Sequence, residues 1–179
     1  MTFFEPQSDT IGVMGALDAQ SISEELLAMS QADQEMRTKA IKDMSLWDDT
    51  IDNRNTARLK EIVAKNGWPT IPKVGVEASQ AAWLLVQHAY ADPDFMKECL
   101  ALMKQAREGD VNPVHVAFLE DRLLTMEDRP QIYGTQFRTI NGITEPFPME
   151  DPEHVDERRA SVGLGTFAEN EARIKVMYG

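Results

Sequence analysis

Three times along this chain an Asp or Asn stands directly before a proline, at Asp92-Pro93, Asn112-Pro113 and Asp151-Pro152. A short polar side chain at the N-cap caps a helix that proline, with its preset φ and missing N–H, opens well at the first position. A chain punctuated this way folds as a series of short helices rather than as a sheet. The remaining boundary signals agree. Ser21 with Glu24 and Thr166 with Glu169 read as capping boxes, and Asn66-Gly67, Gly109 and Gly163 read as helix ends.

Helical periodicity fills the spaces between these marks. Ile22, Leu26, Met29, Met36, Ala40 and Met44 recur at three- and four-residue intervals, which predicts a first helix from Ser21 to about Asp43. A second is predicted from about Asp52 to Lys65 on Leu59, Ile62 and Val63, followed by an extended link through Pro69 and Pro72. Glu77 to Ala89 is apolar nearly all round, the mark of a central helix. Further helices follow from Pro93 to Gly109, from Pro113 to about Glu127, from Pro152 to Gly163 and after Thr166. Between Gln131 and Phe147 the texture turns strand-like around Asn141-Gly142, a two-residue hairpin turn. The expected fold is therefore mainly α: a single-domain bundle of six or seven helices over residues 20–179 with a small β-hairpin near residues 131–147. Residues 1–19, which lack periodicity, are expected to form a flexible N-terminal arm.

Composition narrows the function classes. With 18 Lys and Arg against 30 Asp and Glu the chain carries a net charge of −12, which phosphate backbones and anionic bilayers would repel. Neither nucleic acid nor membrane is expected as a partner. No apolar stretch is long enough for a membrane span and no leader precedes the first helix, so a cytoplasmic address is the expectation. Cys99, alone and on an apolar stripe, fits a small core residue. Zinc-binding Cys and His patterns, a dinucleotide-binding glycine fingerprint and a phosphate-binding Gly-Lys-Ser/Thr loop are all missing, so no metal and no tightly bound cofactor are expected.

A handful of polar residues sit oddly for pure structure. Gln87 and His88 close the most apolar helix, where an amide and an imidazole each need a partner. Asp92 stands four residues after His88 and is better explained as the cap of the next helix than as its partner. Asp121 points to the apolar side of its helix, where it is either half of a buried ion pair or a catalytic carboxylate, and Arg122 follows it. Asp33, Gln34 and Arg37 lie close to the apolar line of the first helix and read as a solvated face. Tyr133 and Gln136 belong to the hairpin, while His115 and His154, in first turns, read as surface residues.

Taken as a set, Asp33-Gln34 with Arg37, Asn55 to Ile62, Asn66-Gly-Trp-Pro-Thr70, Ala81 to Ala89 followed by Asp92-Pro93, Asp121-Arg122 and Gln131-Ile-Tyr-Gly-Thr-Gln136 resemble a bacterial family of unknown function, DUF6624. The resemblance spans about residues 21–175 and brings no activity with it. The pattern includes Gln87, His88, Asp121, Arg122, Tyr133 and Gln136; it departs at Tyr90-Ala91, where a carboxylate is expected after Gln-His-Ala.

Two functions are compatible with this reading. One is a small-molecule enzyme in which His88, Tyr133 and Asp121 carry acid–base chemistry while Gln87, Arg122, Gln136 and Trp68 hold the substrate, Arg122 through a carboxylate. The other is a non-catalytic binding or interaction module, regulatory or immunity-type, whose same residues form a structural network. The first expects Asp121, His88 and Tyr133 to converge around one open pocket. The oligomeric state is not legible.

Overall fold

The computed structural model describes the backbone of residues 11–178 and the side chains of residues 19–177. It holds eight α-helices and one two-stranded hairpin: α1 (Ile11–Lys42), α2 (Asp49–Asn66), α3 (Ile71–Val74), α4 (Val76–Gln87), α5 (Pro93–Gln105), α6 (Pro113–Met126), β1 (Phe137–Ile140), β2 (Ile143–Pro146), α7 (Val155–Ser161) and α8 (Phe167–Tyr178). No described helix is long and apolar enough to cross a membrane.

Most boundaries fall where their chemistry predicts. The Asp92 and Asn112 side chains accept hydrogen bonds from the N–H groups of Phe95 and Val114, capping α5 and α6 above a first-position proline. The Thr166–Glu169 box is reciprocal, with bonds of 3.0 and 3.3 Å. Four expectations change. Helix α1 is already under way at Ile11, so Ser21 and Glu24 lie inside it; residues 1–10 of the expected arm lie outside the described residues. The link after Gly67 contains the single turn α3, because Pro72 tolerates a helical start and the Ile71 N–H finds the Asp110 carbonyl at 2.8 Å. Asp151 takes a left-handed φ of 42° and caps nothing, so a 3-10 turn at Pro152–His154 precedes α7. Met44 lies beyond α1 and is exposed.

The core lies where α1, α2, α4, α5 and α6 meet, with Leu26, Leu59, Leu85, Val86, Met96, Cys99 and Leu119 almost fully enclosed. Helix α4 is central, packing on α1, α2, α3, α5 and α6, as a helix apolar on every side must. Cys99 is buried and its thiol is pushed up by burial, as a packing residue's would be. The hairpin pairs Phe137 with Pro146 and Ile140 with Ile143, turning on Asn141 and Gly142, both with positive φ. Its first strand is shorter than expected, because residues 131–136 form a loop instead.

Candidate functional site

Helix α4 ends at Gln87 with His88 as its C-cap, which places the imidazole at the rim of the core, opposite one face of α1. That face carries the apolar line Leu26, Met29, Met36 and Ala40, interrupted by Asp33, which is fully buried. The carboxylate therefore belongs to the buried line itself and not to a solvated face. A buried charge needs partners, and Asp33 has three. His88 Nδ1 lies 2.9 Å from Asp33 Oδ1, Arg37 Nε 3.2 Å from the same oxygen, and Gln34 Nε2 donates to Oδ2 at 2.7 Å. The Arg37 guanidinium spans on to α2, donating to both oxygens of Asp52 at 2.7 and 2.8 Å, while Trp47 covers it at 4.9 Å from the ring centre.

The two carboxylates differ. Burial alone would raise the Asp33 carboxyl, but His88, Gln34 and Arg37 outweigh it and hold it below its ordinary value. Asp52 is raised by burial, and by the neighbouring Asp33 charge, in spite of Arg37. Ligand atoms of Asp33, Asp52 and His88 lie within 4.8 Å of one another, a geometry open to a metal ion. Here the Arg37 guanidinium binds both carboxylates and already supplies the positive charge such a cluster needs.

The seam between α4 and α6 brings two further groups to this end of the molecule. Trp83 stacks on His115 at 4.1 Å with rings 6° from parallel, meets Phe118 edge-on, and donates its indole N–H to the His115 carbonyl at 3.0 Å. Seven residues past Trp83, Tyr90 lies under the Arg122 guanidinium at 5.0 Å. The two helices thus run in the same direction along this seam. Gln87, four residues after Trp83, and Arg122, four after Phe118, lie one turn further along it. Gln87 is 3% exposed, and neither polar atom of its amide has a partner among the described residues. The Arg122 Nε is buried and unpartnered too. Burial, with Arg37 nearby, pushes the Arg122 guanidinium down to about 10. His115 is no surface residue: stacked on Trp83, it is pushed down to about 4 by burial. His154 is exposed and pairs with Asp151.

The other expected site residues do other work. Asp121, fully buried, is bound by no arginine, histidine or tyrosine hydroxyl among the described residues; its oxygens accept the backbone N–H groups of Ile132 at 2.7 Å, Tyr133 at 3.0 Å and Thr135 at 3.0 Å, and the Thr135 hydroxyl at 2.9 Å. Burial raises its carboxyl against these bonds. Gln131, which sequence reasoning passed over, is also fully buried. It donates to the Gln136 and Phe147 carbonyls and accepts from the Gln136 N–H at 2.8 Å. Arg158 and Arg159 bind the carbonyls of Ile132 and Tyr133. Two buried side chains and two arginines thus hold the 131–136 loop from both sides, which is a structural assembly. Gln136 bonds the Thr135 hydroxyl within it. The Tyr133 side chain lines a cavity of about 350 Å³ with Met103, Lys104 and Val116, and burial raises its hydroxyl. Trp68 is a core residue, 3% exposed.

The expected set therefore divides. No hydrogen bond or ion pair among the described residues joins His88 to Asp121 or Tyr133; His88 takes its partners from α1, and Asp121 from the loop after α6. Arg122 and Gln87 fall at the His88 end. Asp33, Gln34, Arg37 and Asp52 complete that group, and the signal for Asp33 lay in its register between Met29 and Met36.

No curated protein and no solved structure shows significant similarity to the chain. A family model does match, over residues 20–179 and so over all but the first 19 residues. The chain belongs to DUF6624, a family of unknown function.

Proposed function

We propose that this protein is a small-molecule enzyme that moves a proton through His88, with Asp33 as the group that orients it. The observation that carries the reading is the His88–Asp33 contact. Nδ1 is held at 2.9 Å by a fully buried carboxylate, while the side chain keeps 16% of its exposure and Nε2 has no protein partner among the described residues. The Arg37 Nε–H lies 3.1 Å from His88 Nδ1 and 3.2 Å from Asp33 Oδ1; when it goes to the carboxylate and Nδ1–H is donated to Asp33, Nε2 is left as a bare base facing outward. Arg37 and Asp52 position Asp33 in turn. The chemistry needs no tightly bound cofactor. A single buried thiol and an acidic surface fit a cytoplasmic setting.

One observation favours a non-catalytic reading instead: the Asp33–Arg37–Asp52 chain of ion pairs is satisfied by protein groups alone, as a structural network would be. The two readings separate in one experiment. A mixed pool of small metabolites is incubated with the wild type and with His88→Ala, and consumption is followed by mass spectrometry. Under the enzyme reading the wild type depletes a compound that His88→Ala spares, and Asp33→Asn slows that depletion by tenfold or more. A pool left unchanged by both proteins would sink it.

A further inference from the structure

We propose that the seam between α4 and α6 is a binding site for a small molecule bearing one carboxylate, held by the Arg122 guanidinium and the Gln87 side-chain amide. The proposal deepens the acid–base reading by naming the substrate class, and it rests on that reading only for the claim that the bound molecule is turned over.

Two unsatisfied groups are brought to this seam by its register, each one turn beyond the Trp83–Phe118 contact. Buried amides and guanidinium groups are nearly always hydrogen-bonded, because an unmade bond leaves the desolvation cost uncompensated. Gln87 is 3% exposed with neither oxygen nor nitrogen bonded. Arg122 makes no ion pair and no guanidinium hydrogen bond among the described residues, and its Nε is enclosed without a partner. This is unusual in a chain with 30 acidic residues to choose from. Each of the other three buried or half-buried arginines among the described residues, Arg37, Arg158 and Arg159, has acceptors. The Tyr90 ring lies 5.0 Å from the guanidinium carbon and occupies none of its N–H groups as an acceptor would, which leaves them for a bidentate acceptor. Arg122 is only half-buried, so they are reachable.

The chemistry selects the ligand. A planar guanidinium matches a carboxylate with two parallel N–H···O bonds, and the Gln87 N–H adds a third donor while its oxygen takes a donor on the ligand. Charge favours a monoanion over a phosphate dianion. Asp33 and Asp52 share the single cation Arg37, so the neighbourhood with Arg122 sums to neutral; the local Arg122 fork can balance one negative charge and a second gains nothing. Arg37, bound to Asp33 beside His88, acts through its charge on the Arg122 guanidinium, so a molecule anchored at the seam lies on the His88 side of the core.

The test is a titration of the full chain with sodium acetate, followed by the ¹⁵N resonances of the Arg122 Nε–H and the Gln87 side-chain amide. Sodium chloride at matched ionic strength is the control, and inorganic phosphate the second arm. Both resonances should shift saturably with acetate, with a Kd on the order of millimolar for so small a probe. Arg122→Gln should weaken binding at least tenfold and Gln87→Leu severalfold, while Arg122→Lys, which keeps a point charge without the fork, should recover only part. Binding should survive His88→Ala, so a protein that binds acetate but consumes no metabolite keeps this site and loses the catalytic reading. Shifts no larger than those with chloride overturn the proposal. So does unchanged binding in Arg122→Gln, or phosphate binding more tightly than acetate.

Discussion

Arg122→Met should make this protein more stable. The guanidinium is held well below its ordinary value, down to about 10, by burial and by Arg37. At about 1.4 kcal/mol for each tenfold change in proton affinity, this is a penalty of roughly 3 kcal/mol on the folded state. Because the folded-state value is the lower one, both states are fully protonated below pH 10 and the whole penalty is present at neutral pH. It fades only as pH rises from about 10 towards the ordinary value of an arginine. Arg122 is half-buried, so solvent screening reduces the figure to about 2 kcal/mol. Losing the stacking on Tyr90 gives back about 0.5–1 kcal/mol, and methionine refills most of the volume. The net expectation is a gain of about 1 kcal/mol, read as a higher midpoint in urea denaturation at pH 7 with an unchanged slope. A loss of 1 kcal/mol or more would refute the reasoning, since it would mean that the guanidinium is satisfied within the fold. A residue that costs stability where a neutral one would fit is the pattern expected of a group kept for a ligand.

The remaining expectations concern the parts that hold the fold. Asp121→Asn removes the charged acceptor of four donors and should cost about 2–4 kcal/mol, measured by urea denaturation, with limited proteolysis reporting cleavage within 131–136; a cost below 1 kcal/mol would contradict the loop-anchor role. Gly134→Ala should cost about 2–4 kcal/mol, because the new Cβ would meet a Phe167 ring carbon at 2.7 Å and the Met149 sulfur at 2.8 Å at a φ of +67°; thermal denaturation checks it, and a neutral result would mean that the α8 packing yields freely. His115 takes up its proton only near pH 4 when folded but near 6.5 when unfolded, so stability should fall by about 1–2 kcal/mol as pH drops from 6.5 to 4. His115→Gln should flatten that part of the profile, and an identical slope in the variant would count against a buried neutral imidazole.

The amino-acid sequence by itself determined the helices and their order. Capping and proline placement act within a few residues, so Asp92, Asn112 and the Thr166–Glu169 box announce α5, α6 and α8 without reference to the rest of the chain. The centrality of α4 follows just as locally, since a helix apolar on all sides has nowhere else to go. Where local rules misled, a contact distant in sequence had decided the outcome. Residues 131–136 read as strand but form a loop because their N–H groups are taken by the Asp121 carboxylate, ten or more residues earlier, instead of by a partner strand. The site divided for the same reason. Periodicity placed His88 and Asp121 beside apolar residues and the turn signal placed Tyr133 in a hairpin, yet neither carries information on which buried polar group meets which. Only the packing of α1 and α2 against the end of α4 chose Asp33, 55 residues away, as the partner of His88 and left Gln87 and Arg122 without one. A buried charge must find a counter-group wherever the tertiary fold supplies it, and that choice belongs to three dimensions.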